Sequence, residues 1–170
     1  TTNTPILPPP ACEQTSTAYG INDSGMVVGD YTISLSAPVR GKGCGFPQHH
    51  PIIWNSSTNT FIDLASPNKF GTLYGINASG QVVGFESSSA TGSNAVIGDV
   101  TGGVLTDLNP LVTGVPSAWK ITYADKISDS GLILARALDV AANVVHSVLL
   151  TPSTLQPPPP VAPVAPSGLN

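Results

Sequence analysis

The sequence predicts an all-β chain: three antiparallel four-stranded, propeller-like blades between Pro-rich extended ends. Three observations carry this. A turn motif recurs at regular spacing, each copy is followed by a second set of short apolar segments, and no useful window has helical periodicity. Gly and Pro each occupy 17 of the 170 positions, and only 9% of residues are charged, where an average soluble domain has about 25%.

The N-terminal arm, residues 1–16, holds four of the 17 prolines. The β-repeat domain is expected over residues 17–155, with repeats at about 17–70, 71–120 and 121–155. Residues 156–170 form a C-terminal linker or strap. Its Pro-Pro-Pro-Pro run and alternating Val-Ala-Pro favour polyproline II without internal hydrogen bonds. Its last six residues, Ala165 to Asn170, resemble the start of a fibronectin type III strand, an expectation that a further domain follows. The chain begins at Thr1, as a processed exported protein would.

The repeat begins with Tyr19-Gly20-Ile21-Asn22-Asp23-Ser24-Gly25-Met26-Val27-Val28-Gly29. It recurs as Tyr74-Gly75-Ile76-Asn77-Ala78-Ser79-Gly80-Gln81-Val82-Val83-Gly84, and more loosely as Asp125-Lys126-Ile127-Ser128-Asp129-Ser130-Gly131-Leu132-Ile133-Leu134-Ala135. Each copy has hairpin chemistry. The side chain of Asn22, Asn77 or Ser128 can bond the backbone two residues on and pre-form a type I turn. Gly25, Gly80 and Gly131 then fall where a positive φ is needed. Gly29, Gly84 and Ala135 are small, which suggests close packing against a neighbouring sheet.

A second hairpin starts at His50-Pro51-Ile52-Ile53-Trp54, Asn94-Ala95-Val96-Ile97-Gly98 and His146-Ser147-Val148-Leu149-Leu150. Return strands read Phe61-Ile62-Asp63-Leu64 and Leu105-Thr106-Asp107-Leu108, with Asp63 and Asp107 in register. Four short strands in about 50 residues is the pattern of a propeller blade. After Pro152 only Ser153-Thr154-Leu155 precedes the proline run, so the third repeat has no evident fourth strand.

Tyr-Gly-Ile-Asn-x-x-Gly-x-Val-Val-Gly, then His-x-x-x-Trp, then Asp-Leu, resembles the HAF-type repeats of secreted and cell-surface bacterial proteins. His146 to Pro152 resembles the closing repeat of such arrays. The resemblance covers about residues 17–152. It implies an extracellular, propeller-like fold and carries no chemistry with it. The insertion at 33–48 departs from the compact spacing.

A closed propeller typically needs about four to eight blades. Three leave sheet faces and an edge open, which favours pairing with another chain. Two half-propellers closing as a six-bladed dimer, or a head-to-tail filament, both satisfy this need. The fourth position of the last blade could be filled by the arm around Ile6 and Leu7, by another molecule, or by nothing.

Composition and motifs exclude much of the chemistry. Six Lys/Arg against ten Asp/Glu leave no basic patch for nucleic acid, and no apolar run reaches the roughly 18 residues of a membrane span. No Gly-x-Ser-x-Gly elbow, Walker loop or dinucleotide fingerprint occurs. No catalytic, cofactor or metal site is assigned, and no cofactor is expected. His50 and His146 are repeat-equivalent with Asn94, which favours a hydrogen-bonding role over metal binding with His49. Asp63 and Asp107 are read as accepting backbone donors at strand ends. The Asp-x-Ser-Gly turns lack the spaced ligands of a calcium loop. Cys12 and Cys44 are expected to form a disulfide joining the arm to the long Gly-rich loop. Trp54 and Trp119 are candidate stacking surfaces for a sugar, with inter-blade packing as the alternative. Asn22, Asn55 and Asn77 match glycosylation triplets but fall in turns, and residues 87–93 read as an exposed Ser-rich loop.

The expected function is therefore non-enzymatic. The chain reads as a secreted or cell-surface structural or adhesive β-repeat protein, self-associating into an oligomer or filament or pairing with another surface protein. The alternative is a carbohydrate- or protein-binding propeller module of a larger secreted enzyme or adhesin.

Overall fold

A computed structural model describes residues 13–34, 49–64, 69–101 and 103–153. The disulfide expected between Cys12 and Cys44, both Pro-rich ends and most of the 33–48 insertion lie outside the described residues. The chain is all-β, with one short 3₁₀ turn at Asn109–Leu111 and no α-helix among the described residues.

Three antiparallel sheets follow one another along the chain. The first contains β1 (Glu13–Ile21), β2 (Met26–Ser34), β3 (His49–Asn55) and β4 (Thr60–Asp63), in that order. The second contains β5 (Phe70–Ile76), β6 (Gln81–Ser88), β7 (Gly92–Asp99) and the two-residue β8 (Thr106–Asp107). The third contains β9 (Trp119–Ile127), β10 (Ile133–Asp139) and β11 (Val144–Leu150), with β10 central. The expectation of three four-stranded units is thus corrected to four, four and three strands. Strand β1 begins at Glu13, so the first sheet takes in the last residues assigned to the arm.

The local chemistry of the turns explains the hairpins. Asn22 Oδ1 accepts from the Ser24 and Met26 amides at 3.1 and 3.0 Å. Asn77 Oδ1 accepts from the Gln81 amide at 2.9 Å, and Ser128 Oγ from the Leu132 amide at 2.9 Å. Gly25, Gly80 and Gly131 have φ of 72°, 82° and 83°, the left-handed region that a Cβ disfavours.

The sheets stack in series. Strand β5 lies against β1, β2 and β3, and β9 against β5, β6 and β7. No closed barrel or ring is formed among the described residues. A middle sheet covered on both faces needs apolar side chains at successive positions. Val82 accordingly faces the first sheet with Val28, Ile53, Leu73 and Val96. Its neighbour Val83 faces the third with Ala95, Ile121, Ala124 and Ile133.

Each first strand carries a bulge at the same repeat position. Tyr19, Tyr74 and Asp125 are the extra residues, because Ala18, Leu73 and Ala124 pair with Gly29, Gly84 and Ala135 while Gly20, Gly75 and Lys126 pair with Val28, Val83 and Leu134. This geometry corrects the reading of Gly29 and Gly84. A Cβ on either would meet the carbonyl oxygen of Thr17 or Thr72 on the adjacent strand of the same sheet, rather than a neighbouring sheet. The close approach between sheets is made instead at Gly20, whose Cβ would lie 3.4 Å from Tyr74 O, and at Gly75, 3.1 Å from Ile127 N.

Candidate binding surface

The first strands meet along a polar seam built from the turn residues. Asn22 Nδ2 donates to Asn77 O of the second sheet at 3.1 Å, and Asn77 Nδ2 donates to Ser128 O of the third at 3.2 Å. One side chain thus shapes its own turn and ties it to the next sheet. The third copy breaks the ladder, because Ser128 has no amide; its hydroxyl bonds Ser130 Oγ at 2.9 Å. Asp129 instead reaches back to accept from the Ala78 amide at 2.8 Å. Lys126 stands where the other sheets have Gly20 and Gly75, and its Nζ donates to Tyr74 O at 3.1 Å and Tyr19 O at 3.4 Å. The side chain that would obstruct close approach of a fourth sheet is tolerated in the third.

Beside this seam runs an aromatic row. Tyr19 meets Tyr74 edge-on at 5.2 Å, Tyr74 stacks with Phe85 at 5.9 Å, and Phe85 contacts Tyr123 at 4.7 Å between ring centroids. Arg136 lies 4.1 Å over the Tyr123 ring, held by two hydrogen bonds to Asp125 at 3.0 and 2.8 Å. Burial, then the neighbouring Tyr19, pushes the Tyr74 phenol above its ordinary range, against the opposing pull of Arg136. The row is a partly exposed π-surface.

His49, His50, Asp30, Asp63 and Asp107 have structural partners. His50 Nδ1 lies 3.3 Å from Asp63 Oδ2, and the repeat-equivalent Asn94 Nδ2 donates to Asp107 Oδ2 at 2.9 Å. Tyr31 Oη donates to the same Asp63 oxygen at 2.8 Å; burial first, and this bond second, hold that phenol well above the ordinary tyrosine range. His49 Nδ1 lies 3.3 Å from Asp30, which is buried and accepts from Thr72 Oγ1 at 2.8 Å. No three His, Cys, Asp or Glu side chains converge as a metal site among the described residues.

The two tryptophans are not brought together. Trp54 is buried, donates Nε1–H to Asn59 Oδ1 at 3.1 Å, and lines a cavity of about 300 Å³ on the first sheet. Trp119 stacks flat on His146, with ring centroids 4.4 Å apart. It also lines a larger cleft of about 840 Å³ between the second and third sheets, with Leu108, Val112, Ile133, Val148 and Leu150. Asn77 is buried with both ends of its amide hydrogen-bonded, so a glycan there is incompatible with the fold. Ser87 is buried in β6, so the predicted Ser-rich loop is shorter than residues 87–93.

The third sheet presents an open face and an open edge. Leu134 is 47% exposed, where its equivalents Val28 and Val83 are 1% and 0%. Leu149 is 62% exposed, where Ile53 is 0%. These two leucines pair directly across β10 and β11, and Val145 extends the patch. Strand β11 has no outer partner among the described residues, whereas β3 and β7 pair with β4 and β8. At the other end of the stack Ile21 is exposed, but Val27, Ile52 and Trp54 are buried.

No family model, curated protein or solved structure matches the chain. The patch, the asparagine ladder and the aromatic row were not singled out by sequence reasoning. Aligning the three copies gives the signal for the first two: Ser128 replaces Asn, Lys126 replaces Gly, and Leu134 and Leu149 persist where a third internal face would need them.

Proposed function

We propose that the chain is a non-enzymatic, secreted or cell-surface structural or adhesive protein of HAF-repeat type. Its sheets are the blades of a partial propeller, and copies associate through the third blade. The observation that carries this reading is the exposure of Leu134 and Leu149, whose counterparts inside the stack are buried at Val28, Val83 and Ile53 and partly buried at Ile97. An apolar pair facing solvent beside an unpaired strand edge favours association. The axial half of that face carries Lys126 and Ser128 in place of the glycine and asparagine that join internal blades, so association uses the outer half of the blade. That arrangement favours a symmetric pair over a head-to-tail filament. Light scattering at micromolar concentration is expected to give a mass above 17.3 kDa, returning to the monomer value in Leu149→Asp. A monomeric mass for the unaltered chain at that concentration would count decisively against self-association.

A second reading, a carbohydrate-binding module, is favoured by the cleft under Trp119, which combines an apolar wall with a flat indole. On that reading a glycan array gives saturable hits that Trp119→Ala abolishes and Trp54→Ala leaves in place. Hits that survive Trp119→Ala would dismiss the cleft as the site.

A further inference from the structure

Among the described residues the third blade lacks the strand that completes the other two, and the structure shows twice what such a strand must carry. In the first blade Asp63 pairs with Ile52 and places its carboxylate beside His50. The Leu64 amide donates to Pro51 O at 2.9 Å, and the Leu64 side chain is buried against the next blade with Val28 and Ile53. In the second blade Asp107 pairs with Val96 and accepts from Asn94. The Leu108 amide donates to Ala95 O at 2.9 Å, and its side chain is buried in the following core cluster. One Asp-Leu dipeptide therefore makes three contacts in each blade: a carboxylate contact, a backbone bond and an apolar seat.

All three receivers are present on β10 and β11. His146 occupies the His50 and Asn94 position; its ring lies on Trp119 and makes no hydrogen bond among the described residues. Ser147 occupies the Pro51 and Ala95 position, so its carbonyl is the equivalent acceptor. Leu134 and Leu149 occupy the positions of Val28 and Ile53, which enclose Leu64 in the first blade. The full sequence contains two Asp-Leu dipeptides, at 63–64 and 107–108, and both are already in use.

We propose that β11 is a docking edge for an extended segment of another polypeptide carrying an apolar-x-Asp-Leu motif, which pairs antiparallel as the fourth strand of the third blade. Its Asp meets His146, its Leu amide donates to Ser147 O, and its Leu side chain covers Leu134 and Leu149. This inference uses the same blade as the self-association reading but does not require it, since copies of the chain have no spare Asp-Leu to offer.

The test is a titration of the full chain with the peptide Asn-Thr-Phe-Ile-Asp-Leu-Ala, the chain's own residues 59–65, followed by amide NMR. Saturable shifts are expected at residues 144–151, with a Kd on the order of 1 mM, as befits a short unconstrained strand. Replacing the peptide's Asp or its Leu with Ala is expected to weaken binding at least tenfold. The protein variants His146→Ala and Leu149→Asp should weaken it similarly while the remaining amide spectrum stays in place. Absence of shifts at about 5 mM peptide overturns the proposal, as does equal binding of the Asp-to-Ala peptide. Because both readings cover Leu134 and Leu149, light scattering on the same samples separates them: a monomer that binds the peptide sinks self-association alone, an oligomer that the peptide dissociates supports both, and a chain diluted to the monomer that still shows no shifts sinks the docking edge.

Discussion

Gly84→Ala is expected to lower the stability of the chain by about 2–3 kcal/mol, the upper part of the range for forcing a methyl into a site with no room. The added Cβ would meet Thr72 O and the Cα of Leu73 in the paired strand, and backbone cannot turn aside as a flexible side chain can. Bulge and ladder bonds around Tyr74 would have to shift together. The third sheet holds Ala135 at this position and differs by a second irregularity in β9, where Thr122 is extra between Ile121 and Tyr123. Gly103→Ala is the matched control: its φ is +63° and nothing lies within 4 Å of its Cβ, so only left-handed strain of about 1 kcal/mol remains. Urea unfolding should show a midpoint well below the control at unchanged slope. Equal midpoints for the two variants would mean that Gly84 is not a close-approach position.

Asn77→Ala should cost about 2–3 kcal/mol, because it removes several hydrogen bonds at a buried position rather than one at the surface. Its Oδ1 accepts from the Gln81 amide and from Ser79 Oγ, and its Nδ2 donates to Gln81 Oε1 and to Ser128 O. The same change at Asn22, which is half-buried, should cost about 1 kcal/mol. Asn77→Asp isolates the link between sheets. It keeps the acceptor that forms the turn but loses the donor, and sets a carboxylate against Ser128 O. An intermediate loss is expected, with faster hydrogen exchange in β9 than in β1. If Asn77→Ala and Ser128→Ala, whose hydroxyl serves only its own turn, proved equally costly, the seam would contribute nothing beyond the turns.

The turns were the most legible part of the sequence, because their cause is local. Asn22, Asn77 and Ser128 bond amides within four residues of themselves, and Gly25, Gly80 and Gly131 follow from the φ that such a turn requires. The pairing of Asp63 with His50 and of Asp107 with Asn94 was approachable through repeat equivalence. The second role of Asn77, as a link to Ser128, was not legible, since the same residue type is explained by the turn alone. Nor was the aromatic row, which takes Tyr19 and Tyr74 from one repeat position but Phe85 and Tyr123 from two others.

By itself, then, the sequence determined the hairpins, their antiparallel sense and their threefold recurrence. Those features depend on hydrogen bonds and dihedral angles spanning a few residues, and the same short motif recreates them wherever it occurs. Only the tertiary structure decided which glycine faces a neighbouring sheet and which a neighbouring strand, and which leucines are covered. Val83 and Leu134 occupy the same repeat position in similar strands, yet one is fully buried and the other is 47% exposed. Burial depends on the order in which sheets stack and on where the stack ends.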